Sequence, residues 1–409
     1  MDWDPTRREF AKQAAGLAVA TLAGPKALAT VTKPDSTKQN AMVLWFAHSV
    51  GDEKHIADSV ARCADHGINT IYFQPRYVGV GVYRSKVVAP FDAQIEKLWM
   101  EGTPTFKVTE GHHKFVKDLS AHLKRFDPYD VGMQEVKRQG LRFIAQTSIF
   151  DRWFPILPDR FFEQHPEGLL VDRTGKFYFP GLPCYAEPAT QDYCLAEIRE
   201  LIERGAEGIS LAMISHQVGY WPEELGERRP DTLGFNPPLV DEYERRYGVN
   251  VLREDFDKQK WHDLHGEFFT RFLRRVKEVL KELPLIVGAT PEGFLGYGGN
   301  AGNVLNPNYA DQSPACRINL EWQKWLQEGT VDALRVYAEP PSNVATVEVM
   351  KRKVDRGEIY FARETNLEEE IPEYQGQLQQ VSRGPLDGYV LHEEAFFEGR
   401  PKLWEIFGS

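Results

Sequence analysis

Glutamate recurs at four places where a short apolar run ends. It appears as Glu292 in Thr290-Pro291-Glu292-Gly293, Glu339 in Tyr337-Ala338-Glu339-Pro340, Glu364 in Arg363-Glu364-Thr365-Asn366, and Glu393 beside Glu394. Two carboxylates that meet across a cleft can divide their work, one protonated as general acid and one ionised as base or nucleophile. Cleavage of a glycosidic bond needs that division. One loop glutamate is most simply a solvated side chain, but solvation does not explain four at the same place relative to successive apolar runs. Arg363, next to Glu364, is expected to hold a carboxylate ionised or to bind one from a ligand.

Other polar groups follow the earlier runs: His48, Gln74 with Arg76, Gln146, and His216, with Glu223 further on. His216, Arg76 and Asn366 are expected to bind substrate. Trp153, Phe154, Tyr220, Trp221, Phe294 and Tyr297 fall in the same loops, where rings can stack on the apolar faces of sugars; about half are expected to be ordinary loop packing. His112-His113 and His122 are spaced too loosely for a metal centre and read as solvated surface, so neither metal nor cofactor is expected.

The elements that must carry these residues alternate between short apolar runs and longer amphipathic stretches, the pattern of βα units. Strands are expected at 42–46, 69–73, 141–149, 208–214, 285–289, 333–337, 358–362 and 388–392. Helices are expected at 57–64, from Asp127-Pro128 to Gly140, and at 190–204, 261–282, 319–327 and 344–355, with a long irregular insertion over 76–126. Eight strands separated by helices predict a (β/α)₈ TIM barrel with long βα loops, whose active site lies at the C-terminal strand ends. A doubly wound open sheet is the alternative, but no GxGxxG or GxxxxGK[ST] follows a strand; Gly296-Tyr297-Gly298-Gly299 lacks the lysine and the helix. Although 409 residues suggest two or three domains, one barrel with long loops reaches this length, and only 17 residues follow His392.

Lysine and arginine total 49 against 60 acidic residues, a net charge of −11 with no basic block, which argues against nucleic acid as a partner. The four cysteines form no CxxC pair; Cys184 and Cys194 could bridge across a loop, though free buried thiols are the commoner outcome. The chain opens Thr6-Arg7-Arg8-Glu9-Phe10, continues through the weakly apolar stretch 14–23, and reaches Ala27-Leu28-Ala29. This resembles a twin-arginine export signal over residues 1–29, followed by a polar linker at 30–40 and a single catalytic domain at 41–409. The apolar stretch is shorter than the roughly 20 residues needed to span a bilayer. A periplasmic or secreted protein without a membrane span is expected.

From about residue 40 onward the chain resembles the bacterial family-10-like glycosyl hydrolases, barrel proteins that often carry export signals. The resemblance rests on Asn69-Thr70-Ile71-Tyr72-Phe73-Gln74-Pro75-Arg76, Asp127-Pro128-Tyr129, Arg138-Gln139-Gly140-Leu141, Glu207-Gly208-Ile209, Gly234-Phe235-Asn236-Pro237-Pro238 and Trp325–Asp332, in that order. It implies hydrolysis of a carbohydrate substrate, without naming the sugar. The family's fourth strand usually reads Asp-Gly-Ile-x-x-Asp, whereas this chain reads Glu207-Gly208-Ile209-Ser210-Leu211-Ala212. Either the acids come from other strands or the barrel binds sugar without cleaving it; the glutamates after strands five to eight favour the first. Related barrel glycosidases commonly place a nucleophilic glutamate after strand seven, which implies that role for Glu364. Glu292, between Pro291 and Gly293 and near Phe294 and Tyr297, is the expected proton donor, with Glu339 and Glu393 in reserve.

Overall fold

The computed structural model describes residues 38–45, 51–77, 79–102, 110–152, 159–213, 233–291, 318–338 and 343–408. Eight parallel strands close into a barrel: β1 Gln39–Trp45, β2 Thr70–Gln74, β3 Arg142–Ser148, β4 Ile209–Ala212, β5 Leu285–Ala289, β6 Ala333–Tyr337, β7 Glu358–Glu364 and β8 Gly388–His392. Each strand pairs with its sequence neighbours, and β8 returns to β1 through Gln39↔Gly388 and Met42↔Leu391. That seam requires glycine: Gly388 has φ +151°, and a Cβ there would lie 2.0 Å from the Gln39 carbonyl oxygen.

The helices that follow the strands are α1 Glu53–Asp65, α2 Pro128–Arg138, α3 Pro188–Glu203, α4 Lys258–Leu280, α5 Trp322–Glu328, α6 Val344–Lys351 and α7 Ile371–Arg383. Short polar side chains start several of them. Asp52 accepts from the His55 amide at 2.8 Å, Asp127 precedes Pro128 and accepts from Tyr129 at 3.0 Å, and Asn343 forms a capping box with Thr346. After β8 the chain continues in two 3₁₀ turns, Glu394–Phe396 and Pro401–Phe407. Among the described residues, no helix is long and apolar enough to cross a membrane.

Strand alternation sorts the core into two parts. Ala41, Val43, Tyr72, Ile144, Ile286, Tyr337, Tyr360, Ala362 and Val390 pack inside the barrel. Their neighbours one residue along, such as Met42, Ile71, Phe143, Val287, Val336, Phe361 and Leu391, pack outward against the helices.

Two expectations need correction. The insertion at 76–126 is not irregular: it holds a hairpin, Arg76–Tyr77 with Val80–Gly81, and helices Ala93–Glu101 and Glu110–Arg125. Trp99, one helical turn after Ile95, stacks on Tyr77 with ring centroids 5.3 Å apart, and both Ile95 and Trp99 join the apolar cluster on the barrel's outer face. The linker expected at 30–40 ends early, because β1 pairs from Gln39. Cys184 and Cys194 follow the commoner outcome and are both buried free thiols, as is Cys63; the Cys194 sulfur meets the Arg152 guanidinium at 3.8 Å and the Tyr185 hydroxyl at 3.9 Å. The expected export signal lies outside the described residues.

Candidate functional site

The mouth of the barrel is built where β7 and β8 end. Tyr360 and Ala362 face the lumen, so two-residue alternation turns Glu364, the last residue of β7, to the same side. Glu364 is half-buried and stands in register with His392 of β8. The His392 ring meets Tyr337 of β6 edge-on, with centroids 5.8 Å apart and planes at 74°. The His392–Glu393 peptide is cis, and a Glu393 carboxylate oxygen lies 3.8 Å from His392 Nε2, with Glu393 itself only 2 % exposed. Asn366, two residues beyond Glu364, is half-buried. Glu364, Asn366, His392 and Glu393 are therefore gathered at the C-terminal rim of β7 and β8. Glu292, Glu339, His216, Tyr220, Trp221, Trp153 and Tyr297 lie outside the described residues, as do His48, Phe154, Glu223 and Phe294.

Two expected substrate-binding arginines are occupied elsewhere. Arg363 adjoins Glu364 in sequence, and for that reason faces the opposite side of the strand. It is 3 % exposed, pairs with Glu370 at 2.7 Å and Glu373 at 2.5 Å, and lies over the Tyr374 ring of α7. Arg76 follows β2 but is buried behind the barrel wall, 2.6 Å from Asp159 and 3.2 Å from Glu197 of α3. Glu197 also takes Arg152 at 2.6 Å, so two arginines and two acids form a buried network. Both side chains are buried and held in ion pairs with protein carboxylates. Glu394 likewise faces away from the lumen and pairs with Arg62 of α1 at 2.9 Å.

One lumen charge was not anticipated. Arg335, in the middle of β6, is fully buried inside the barrel. Its Nη1 donates to the Gln146 side-chain carbonyl of β3, and Gln146 donates onward to Gln74 of β2 at 3.0 Å. The guanidinium carbon lies 5.6 Å from the Tyr72 ring centre and 4.7 Å from that of Tyr337. Burial pushes the Tyr72 phenol up to about 12, opposed by the Arg335 charge and by a hydrogen bond from Gln39. The sequence did carry a signal for this residue: Ala333-Leu334-Arg335-Val336-Tyr337 is an apolar strand with a cation at an inward position. Among the described residues, no group of three His, Cys, Asp or Glu side chains is placed to hold a metal ion.

Comparison with solved structures finds the same architecture at low sequence identity. The glycoside hydrolase domain of PgaB (BpsB) from Bordetella bronchiseptica aligns with a TM-score of 0.57 at 12% identity, over 90% of this chain and 98% of that one. The catalytic domain of β-amylase from Paenibacillus polymyxa aligns at 0.51 and 10% identity, over 90% and 94%. An exo-β-N-acetylglucosaminidase from Vibrio harveyi aligns at 0.50 and 10% identity, over 91% of this chain and 54% of that one. At these identities the likeness establishes the TIM-barrel fold. No protein-family profile matches the sequence, and no curated protein does either.

Proposed function

We propose that this protein is an exported glycoside hydrolase acting on a polysaccharide or oligosaccharide. The observation that carries the reading is Glu364: a carboxylate at the C-terminal end of a barrel strand, on the lumen side and in register with His392. The solved structures that share the architecture are glycoside hydrolases, which supports the reading by analogy of fold.

In this reading Glu364 is the nucleophile or base, and Glu292 donates the proton to the leaving oxygen. Carboxylates about 5–5.5 Å apart would make the enzyme retaining, and about 6.5–9.5 Å inverting. Glu339 is the reserve acid; Glu393, closed off from solvent, is less suited to meeting substrate. Trp153, Tyr220, Trp221 and Tyr297 provide stacking surfaces, and His216 and Asn366 bind sugar hydroxyls. Export uses the twin-arginine segment, with the mature chain beginning near Thr30.

One observation favours a second reading, a barrel that binds sugar without cleaving it. β4 ends in Ala212, where the resembling family usually has an acid. A screen of the purified protein against varied glycans, read by release of reducing ends, separates the two. Turnover, reduced by several powers of ten in Glu364→Gln and in Glu292→Gln with folding unchanged, establishes the hydrolase. Binding with no turnover on any glycan establishes the alternative. Activity should persist in EDTA; loss restored by one divalent ion would reveal a metal-dependent site instead.

A further inference from the structure

We infer that His392 is a further substrate-binding residue, an imidazolium backed by Glu393 that donates a charged hydrogen bond to a sugar hydroxyl beside Glu364. Glycan capture then weakens as the ring loses its proton. The inference rests on the mouth being a carbohydrate site, as proposed above, and deepens that reading by naming a donor and its pH dependence. Placement comes first. His392 stands in register with Glu364, and the Thr365 amide donates to the His392 carbonyl at 3.1 Å, which fixes the two residues side by side. Alternation from Val390 turns His392 to the lumen, as alternation from Ala362 turns Glu364. Adjacent strands run about 4.8 Å apart, so a sugar held at Glu364 lies within reach of the ring. The His392 side chain is 23% exposed, against 3% for Glu393, so the ring opens to the mouth and the carboxylate behind it does not.

Glu393 is what separates this histidine from an ordinary rim residue. Its carboxylate lies 3.8 Å from His392 Nε2, and an anion at that distance favours the charged form of the imidazole. The segment that follows is anchored by Glu394, fully buried and 2.9 Å from Arg62 of α1. Glu393 therefore orients the ring and holds its charge, and the ring makes the contact. The groups that face His392 are Glu364 on β7, Glu393 beside it and the Tyr337 ring on β6, with Arg335 against the far side of that ring. Two carboxylates favour the imidazolium and one guanidinium opposes it. Arg363 and Arg62 are turned away from the lumen, in ion pairs with Glu370, Glu373 and Glu394. An imidazolium has two N–H donors on different edges of the ring, so one edge can turn to Glu393 and the other to a ligand. A donor carrying charge binds a hydroxyl oxygen more strongly than a neutral one does.

The test follows the His392 ring by NMR of isotope-labelled histidine, its signal identified by loss in His392→Gln, and measures glycan affinity over the same pH series. The probes are cellotetraose, mannotetraose and chitotetraose, together with any further glycan bound in the screen above. Affinity should fall about five- to tenfold as pH rises through the midpoint of the ring's titration. In Glu393→Gln that midpoint and the pH dependence of binding should move together, to lower pH by about one pH unit. His392→Gln keeps an uncharged N–H and should bind weakly, with no such pH dependence. Affinity that stays flat across the midpoint overturns the role of His392 and leaves the carbohydrate reading standing, as does a pH dependence that stays in place while the midpoint moves. An unmoved midpoint in Glu393→Gln overturns the pairing. Should Glu393→Gln fail to fold, full affinity in His392→Gln is the overturning result. Absence of binding by every glycan overturns both readings. Binding with the expected pH dependence but without turnover upholds His392 and counts against hydrolysis.

Discussion

Replacing Glu197 with glutamine removes the centre of the buried ion network while keeping its shape. The Glu197 carboxylate lies 2.6 Å from Arg152 and 3.2 Å from Arg76, and accepts the Thr147 hydroxyl at 3.2 Å. Asp159 sits on the other side of Arg76 at 2.6 Å and accepts from the Tyr193 hydroxyl at 3.0 Å. Two cations and two anions cancel, and all four residues are buried. In Glu197→Gln, Arg76 keeps Asp159, and Arg152 loses the carboxylate it pairs with. Breaking a buried pair in this way costs about 3–5 kcal/mol. With an unfolding entropy of about 2.1 cal/mol/K per residue, a chain of 409 residues should lose about 4–6 °C in Tm. The effect also has a pH signature. Burial alone would raise the Glu197 pKa, but the Arg152 and Arg76 charges outweigh it and hold the carboxyl below its usual value. The folded state therefore takes up this proton less readily than the unfolded chain. The stabilisation is complete above the unfolded pKa of about 4.3 and is lost as pH falls through the lower folded value. Calorimetry of both proteins from pH 7 to pH 3 should show a gap that is widest at neutrality and closes in acid. A neutral-pH loss under about 1 kcal/mol, or a gap that widens in acid, would refute the network as described.

Three further outcomes are expected. His265 of α4 is buried, and chiefly for that reason its imidazole is pushed down to about 3. The unfolded chain binds this proton below about pH 6.5 and the folded one does not, so wild-type stability should fall between pH 6.5 and 3. His265→Gln should flatten that slope in a pH series of thermal melts, and an unchanged slope would reject the assignment. Arg363→Met should cost about 1–3 kcal/mol through lost contacts with α7 while leaving the pH profile of any turnover in place. A displaced profile would mean that Arg363 acts on the lumen after all. Arg7→Lys with Arg8→Lys should leave the precursor in the cytoplasm, judged by fractionation; undiminished export would remove the twin-arginine assignment.

Much of the barrel was legible in the sequence. β5, β6 and β8 have the bounds expected from their apolar runs, because a barrel strand buried on both faces is a short apolar stretch bracketed by turn and cap residues. Asp127-Pro128 announces α2 through local chemistry alone: a side chain that caps and a ring that presets φ. The hairpin in the insertion at 76–126 escaped because its strands are two residues each, too short to show a period, although Ile95 and Trp99 of the insertion join the same apolar cluster as the barrel's outer face.

At the site, strand alternation was enough to turn Glu364 to the lumen, and the same rule turns Arg363 away, which adjacency in sequence conceals. Only the closed fold chose partners across distance. It brings Glu197 to Arg76 from 121 positions along the chain, and Arg335 to Gln146 from 189. Charge type, period and capping are written in consecutive residues, so the sequence alone determined the strands, their order and which side of β7 carries the carboxylate. Whether a given cation is neutralised behind the wall or left unpaired in the lumen depends on which distant side chains share its low-dielectric surroundings. That was decided only when the barrel closed.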